Sequence, residues 1–92
     1  MDDETLKKYA FVIASTYRVN TIKALKYKTK IPRDISKDSG ILANHISKIL
    51  RELKDKGIVV CINEEVHKGR LYRLTDTGIE IYEKLIEQEN DG

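Results

Sequence analysis

Between Ile41 and Gly57 the chain reads ILANHISKILRELKDKG. Ile46, Ile49, Leu50 and Leu53 recur there at intervals of three and four, the spacing that gathers side chains on one face of a helix. Gly57 stands where a helix commonly ends on a left-handed residue, and a β-branched run follows at once. A helix with so apolar a face must be pressed against other elements, so the rest of the chain has to supply a core for it. The opposite face carries Ala43, Asn44, Ser47, Lys48 and Arg51. These are small, amide, hydroxyl and cationic groups, a mixture that can lie against base edges and the phosphates beside them. We therefore expect this helix to enter DNA, with the other segments holding it or extending its reach.

The chain has 92 residues, enough for one domain with an economical core. Hydrophobic residues at 40% beside 35% charged residues fit a globular chain rather than a disordered one. The longest apolar runs, AFVIA at 10–14 and IVVCI at 58–62, are too short to span a bilayer, so no membrane partner is expected. No positively charged leader precedes an apolar segment, and the single Cys61 cannot form an internal disulfide. Both features suit the reducing cytoplasm.

A net charge of +2 hides a strong asymmetry. Residues 1–16 hold two Lys and three acids, residues 17–51 nine Lys/Arg and two acids, and residues 52–92 six Lys/Arg and ten acids. Clustered cations often make only a solvated surface. A basic block that coincides with the polar helix and the segment feeding it is better explained as a footprint for phosphates.

Along the chain, Met1 to Glu4 are expected to fray. A helix follows from Thr5 to about Ser15, carrying Leu6, Tyr9, Ala10, Val12 and Ile13, with Thr5 or Asp3 near its start. Phe11 and Val12 widen its stripe, which suggests either a second contact surface or a helix wrapped by its own core. Ser15 or Thr16 caps a second helix through YRVNTIKALKYKT, and Thr29 to Ile31 connects it to a short helix that begins at Pro32, holds Ile35 inward and ends at Gly40. IVVCIN and RLYRL read as two strands, 58–63 and 70–74, with a turn permitted at Gly69. Thr75 caps a final helix with Asp76 in its first turn and Ile79, Tyr82, Leu85 and Ile86 as its stripe. It is expected to run out near Gln88, leaving a loose acidic tail.

Two stretches, ISKILRELKDKGIV at 46–59 and KGRLYRLTDTGIEIYEKL at 68–85, together carry a family resemblance. The chain resembles the winged helix-turn-helix transcriptional regulators of archaea and bacteria, in the broad group of the MarR-like and ArsR-like proteins, over about residues 16–88. The resemblance implies a mainly α fold with a small β-hairpin (α+β), the winged helix-turn-helix being supplemented by an extra N-terminal helix and a C-terminal helix. It makes residues 32–39 the first helix of the motif, 42–55 the recognition helix in the major groove, and 58–74 a wing on the flanking minor groove or backbone, its tip at Glu64 to Gly69. Residues 1–15 would be an N-terminal helix suited to dimerisation, 16–75 the DNA-binding domain, and 76–92 a C-terminal helix for core packing and dimerisation.

Carried over by position, the resemblance gives Ala43, Asn44, Ser47 and Lys48 as base-facing candidates. Arg33, His45, Arg51, His67, Lys68 and Arg70 are the phosphate candidates. Three residues depart from the family's usual pattern. Ile31 and Leu42 stand where a hydroxyl or amide often caps the two helices, and Ser39 where an apolar residue is common. Glu64 and Glu65 in the wing would repel phosphates, which leaves its Lys68 and Arg70 side to touch DNA.

Other residues admit plainer roles. Asn44 and Lys48 suit adenine and guanine edges respectively, or are ordinary solvated side chains. His45 is read equally well as a half-buried structural residue. Tyr17 is expected to pack, although it and Arg18 could reach the DNA backbone, and Arg73 is expected to pair with an acid such as Glu80. Cys61, His45 and His67 have no compact metal-ligand spacing, and Cys61 among β-branched neighbours reads as a small buried hydrophobe rather than a redox switch. No phosphate loop, nucleophile elbow or flanked carboxylate pair suggests catalysis, so neither an enzyme nor a cofactor is expected.

The sequence thus leads to a double-stranded DNA-binding regulator acting as a homodimer, the dimer resting on the N-terminal helix and an apolar surplus at Phe11, Ile81 and Tyr82. The alternative is a winged-helix module that binds protein or RNA without reading DNA sequence.

Overall fold

The amphipathic stretch forms α4 (Ala43–Asp55), with Ile46, Ile49, Leu50 and Leu53 all buried. Gly57 takes φ 71 after the helix ends, as the left-handed stop requires. The computed structural model describes residues 1–90. Around α4 stand α1 (Asp3–Ile13), α2 (Thr16–Leu25), α3 (Pro32–Ser39), β1 (Val59–Cys61), β2 (Tyr72–Leu74) and α5 (Asp76–Asn90). One core joins them all: Val12 of α1, Ile22 and Leu25 of α2, Ile35 of α3, the α4 row, Ile58, Val59, Leu74, and Ile81 and Leu85 of α5.

Local chemistry explains the boundaries. Asp3 and Glu4, expected to fray, belong to α1, because the Asp2 carboxylate accepts from the Thr5 N–H at 2.8 Å and so caps the helix. That bond holds the Asp2 carboxyl below its usual range. Ser15 caps α2 by accepting from the Arg18 N–H at 3.3 Å. α2 stops at Leu25, short of the expected extent, because Lys26 turns to φ 54 and the Lys30 ammonium closes on the Ala24 carbonyl. Ile31 and Leu42 begin α3 and α4 with no side-chain cap. Ser39 serves the turn between those helices, its hydroxyl accepting from the Ile41 N–H at 3.2 Å while Ile41 fills the core.

The strands are shorter than the sequence suggests. β1 and β2 pair antiparallel, Val59 opposite Leu74 and Cys61 opposite Tyr72. Beyond them the chain departs into a polar loop. A third segment joins the hairpin without any local pattern to announce it: Lys30 exchanges both backbone hydrogen bonds with Tyr72, each at 2.9 Å. This ties the α2–α3 connection to the hairpin, which would be marginal alone.

Thr75 caps α5 as expected. Its hydroxyl accepts from the Gly78 N–H at 3.1 Å and donates to the Gly57 carbonyl at 2.7 Å. The inward face of α5 is Gly78, Ile81 and Leu85, with Ile79 and Tyr82 at its margins. The helix continues past Gln88 to Asn90; the remainder of the expected acidic tail, Asp91 and Gly92, lies outside the described residues.

The apolar surplus is therefore not where the sequence reading put it. Ile81 is 0% exposed, and Phe11 and Tyr82 are half-buried against the core. The Arg18 guanidinium covers the Phe11 ring at 3.7 Å from its centroid. Leu6 and Ile13, at 51% and 52% exposure, are the open apolar positions of α1.

Candidate nucleic-acid interface

Burial of one face of α4 turns the other outward. Ala43, Asn44, His45, Ser47, Lys48 and Arg51 are all exposed. Among the described residues, Asn44, Lys48 and Arg51 have neither an ion-pair partner nor a side-chain hydrogen bond. The Ser47 hydroxyl donates only a long bond, 3.4 Å, to the Ala43 carbonyl. The uncapped first turn presents Leu42 at 68% exposure, which leaves it free for an external apolar group rather than packed on Ile46. The structure thus brings the base-facing candidates onto one uninterrupted surface.

His45 is not half-buried. It lies at the edge of that surface with its ring 5.4 Å from the ring of Tyr17. Tyr17 is itself exposed, so its packing is a contact at the rim of α4 rather than burial in the core. The start of α2 and the middle of α4 enclose a shallow concavity of about 240 Å³, to which Tyr17, His45 and Lys48 contribute.

Arg18 is committed elsewhere. It pairs with Glu52 at 3.4 Å and donates to the Phe11 carbonyl at 2.9 Å, joining α1, α2 and α4. Lys23 likewise pairs with Glu89 at 2.7 Å, and Lys30 with Asp38 at 2.7 Å. The basic block of residues 17–51 is therefore not a single footprint, since three of its cations brace the fold.

Arg33 is exposed in the first turn of α3, and His67 and Lys68 are exposed in the wing. Arg70, another phosphate candidate, is half-buried and engaged within the wing. Its Nε donates to the Val66 carbonyl at 2.7 Å and its Nη2 to the Glu64 carbonyl at 3.1 Å, so the guanidinium shapes the wing loop from inside. Asn63 does the same from the other side. Its Oδ1 accepts from the Leu71 N–H at 2.7 Å and from the Cys61 thiol at 3.6 Å, while its Nδ2 donates to the Gly69 carbonyl at 3.2 Å. Sequence reasoning missed Asn63; an Asn at a strand end before a polar loop was the available signal.

Glu64 pairs with Lys54 at the end of α4. The Lys54 ammonium holds the Glu64 carboxyl below the usual range, and the carboxylate in turn raises Lys54. The pair offsets the repulsion expected of this acid and ties wing to helix. Arg73 makes no ion pair with Glu80 among the described residues; its Nη1 donates to the neighbouring Leu74 carbonyl at 3.3 Å. Cys61 is buried, and no group of three or more His, Cys, Asp or Glu side chains among the described residues could hold a metal ion. No helix among them is long and apolar enough to cross a membrane.

No family model matches this sequence, and no curated protein matches it. Solved structures do. The MepR–DNA complex of S. aureus superposes with a TM-score of 0.72 at 18% identity, covering 97% of this chain and 73% of MepR. A homodimeric winged helix-turn-helix DNA-binding domain from Mycobacterium bovis, described as a possible ArsR-family transcriptional regulator, gives 0.72 at 16% identity, covering 99% of this chain and 88% of that one. Ligand-free NadR gives 0.73 at 20% identity over 95% of this chain and 65% of its own. The fold of this chain, five helices with a two-stranded hairpin between the fourth and fifth, is a winged helix-turn-helix.

Proposed function

We propose that this winged helix-turn-helix chain is a sequence-specific double-stranded DNA-binding transcriptional regulator that works as a cytoplasmic homodimer. The observation that carries the proposal is the outward face of α4, where Asn44, Lys48 and Arg51 stand exposed and without protein partners while the opposite face is sealed in the core. A solvated helix needs no such concentration of amide, hydroxyl and cationic groups beside a wing that exposes His67 and Lys68. In this role α4 lies in the major groove. Ala43, Asn44, Ser47 and Lys48 face base edges, with Leu42 placed for a thymine methyl. Arg33, His45, Arg51, His67 and Lys68 take phosphates, and Arg70 keeps the wing in shape.

The fold is shared with the DNA-bound MepR and with the homodimeric M. bovis domain, which supports both halves of the proposal. For the dimer, α1 offers an exposed row of Leu6, Ala10 and Ile13 at helical spacing. Beside Leu6 a groove of about 370 Å³ is bordered by Glu80, Glu83, Lys84 and Glu87 of α5, three acids to one cation.

The test is a titration of duplex DNA, random and selected, at several salt concentrations. Phosphate binding predicts a steep linear loss of log affinity with log salt. Lys48→Ala should cost about 1–3 kcal/mol at selected sites and little at random ones, whereas Lys68→Ala should weaken both alike. Absence of duplex binding at low salt would favour a module for protein or RNA instead.

A further inference from the structure

Between the last turn of α2, the connection at residues 26–30 and the end of α3, the surface sinks into a concavity of about 510 Å³. Lys23, Lys26, Lys28 and Lys30 line it, with Asp38 as its carboxylate and Ser39 at its rim. Two of these cations are already answered, Lys23 by Glu89 and Lys30 by Asp38 and the Ala24 carbonyl. Lys26 and Lys28 are not: among the described residues neither has an ion-pair or side-chain hydrogen-bond partner. Capping of helix carbonyls explains Lys30 but leaves this excess positive charge unexplained. A concave wall of low dielectric concentrates the field of such a cluster.

The backbone beneath the two lysines is built rather than slack. Lys26 is the one non-glycine residue described with a positive φ, 54, an uncommon conformation for a side-chain-bearing residue. The Lys26 N–H donates to the Ile22 carbonyl and the Lys28 N–H to the Leu25 carbonyl, both at 3.0 Å. Local strain of this kind persists where the surrounding structure demands it.

We propose that this cleft is a binding site for phosphate groups, separate from the outward face of α4. Lysine ammoniums are compact point charges suited to phosphate oxygens. The phosphates belong either to a free polyphosphate-bearing anion or to the backbone of bound duplex DNA. Occupancy reaches the reading elements through Lys30. Its side chain holds Asp38, two residues before the Gly40 turn into α4, and its backbone pairs with Tyr72 of β2. An anion that draws the Lys30 ammonium from Asp38 therefore acts on both. This coupling rests on the proposed DNA-binding role; the binding of phosphate does not.

The experiment titrates inorganic tripolyphosphate into the full chain at physiological ionic strength, read by calorimetry and by amide NMR shifts. Saturable binding is expected, with shifts centred on residues 23–30 and 38–39. The double variant K26Q/K28Q should bind about tenfold more weakly with an unchanged thermal midpoint. The proposal is overturned by binding that does not saturate, by equal affinity in the variant, or by shifts confined to α4 and the wing. The same variant, titrated with duplex DNA, separates the sources. A shallower salt dependence assigns the phosphates to the duplex. An unchanged slope, with loss of any effect of tripolyphosphate on duplex affinity, assigns them to the free anion. Because the first titration contains no DNA, its outcome stands apart from that of the proposed function.

Discussion

Gly78 shows how much a single side chain, here an absent one, decides in a small core. It lies in the first turns of α5 directly under β1, where an added Cβ would fall 2.1 Å from the Ile58 carbonyl oxygen. That oxygen is fixed in place, since it accepts from the Thr75 N–H at 3.0 Å. Alanine is favoured over glycine in a helix by roughly 0.5–1 kcal/mol. The clash is with backbone, which cannot swing aside, and forcing it open costs about 1–3 kcal/mol. Gly78→Ala should therefore lower the denaturation midpoint, as urea unfolding would register. A midpoint that stays level or rises would mean that α5 can lift off Ile58. The Gly was visible in LTDTG, but its reason was not, because the chain brings Ile58 there from twenty residues upstream. Arg70 illustrates the same limit. Its charge invited a phosphate role, and only the path of the loop reveals that its donors face the Val66 and Glu64 carbonyls.

At the scale of elements, periodicity was most informative where a helix has one buried face. The α4 row Ile46, Ile49, Leu50 and Leu53, the start of α3 at Pro32, and the caps at Ser15 and Thr75 were all legible, since each depends on neighbours within a turn. Strand lengths and the Lys30–Tyr72 pairing were not, because these are long-range and leave no local pattern. The wing is held to α4 by Lys54 and Glu64, and this contact gives a pH dependence with a definite sign. Lys54 depresses the Glu64 carboxyl in the folded state, so the tie contributes fully above the ordinary carboxylate range. It is lost as pH falls out of the ordinary carboxylate range and through that depressed folded value. The pair is exposed and screened, so the effect belongs to the wing rather than to global stability. NMR titration of the Glu64 carboxyl should give a midpoint below that of a free glutamate. Lys54→Met should bring it back; an unchanged midpoint would show that Lys54 does not hold the wing.

For the whole molecule, the consequential revision concerns which surface is left over once the core is complete. Ile81, expected to face a partner, instead closes the core beside Leu85 and Val12. What remains open is Leu6, Ala10 and Ile13 on α1, next to the acidic border of α5 and the exposed Lys7. A two-fold axis near α1 would set an apolar row against its copy and bring Lys7 of one protomer towards the glutamates of the other. A two-fold interface is self-complementary in this way. A dimer that reads two half-sites must space its two α4 helices by about one DNA turn, 34–36 Å, and favours a pseudo-palindromic site. Leu6→Glu with Ile13→Glu adds charge only at exposed positions, so each protomer should still fold, with far-ultraviolet dichroism unchanged. Sedimentation at micromolar concentration should shift from dimer to monomer. Affinity for a two-half-site duplex should fall at least about tenfold, because the second half-site is then bound without the gain of tethering. A double variant that still sediments as a dimer would exclude the α1 row from the interface and direct attention to the exposed face of α5.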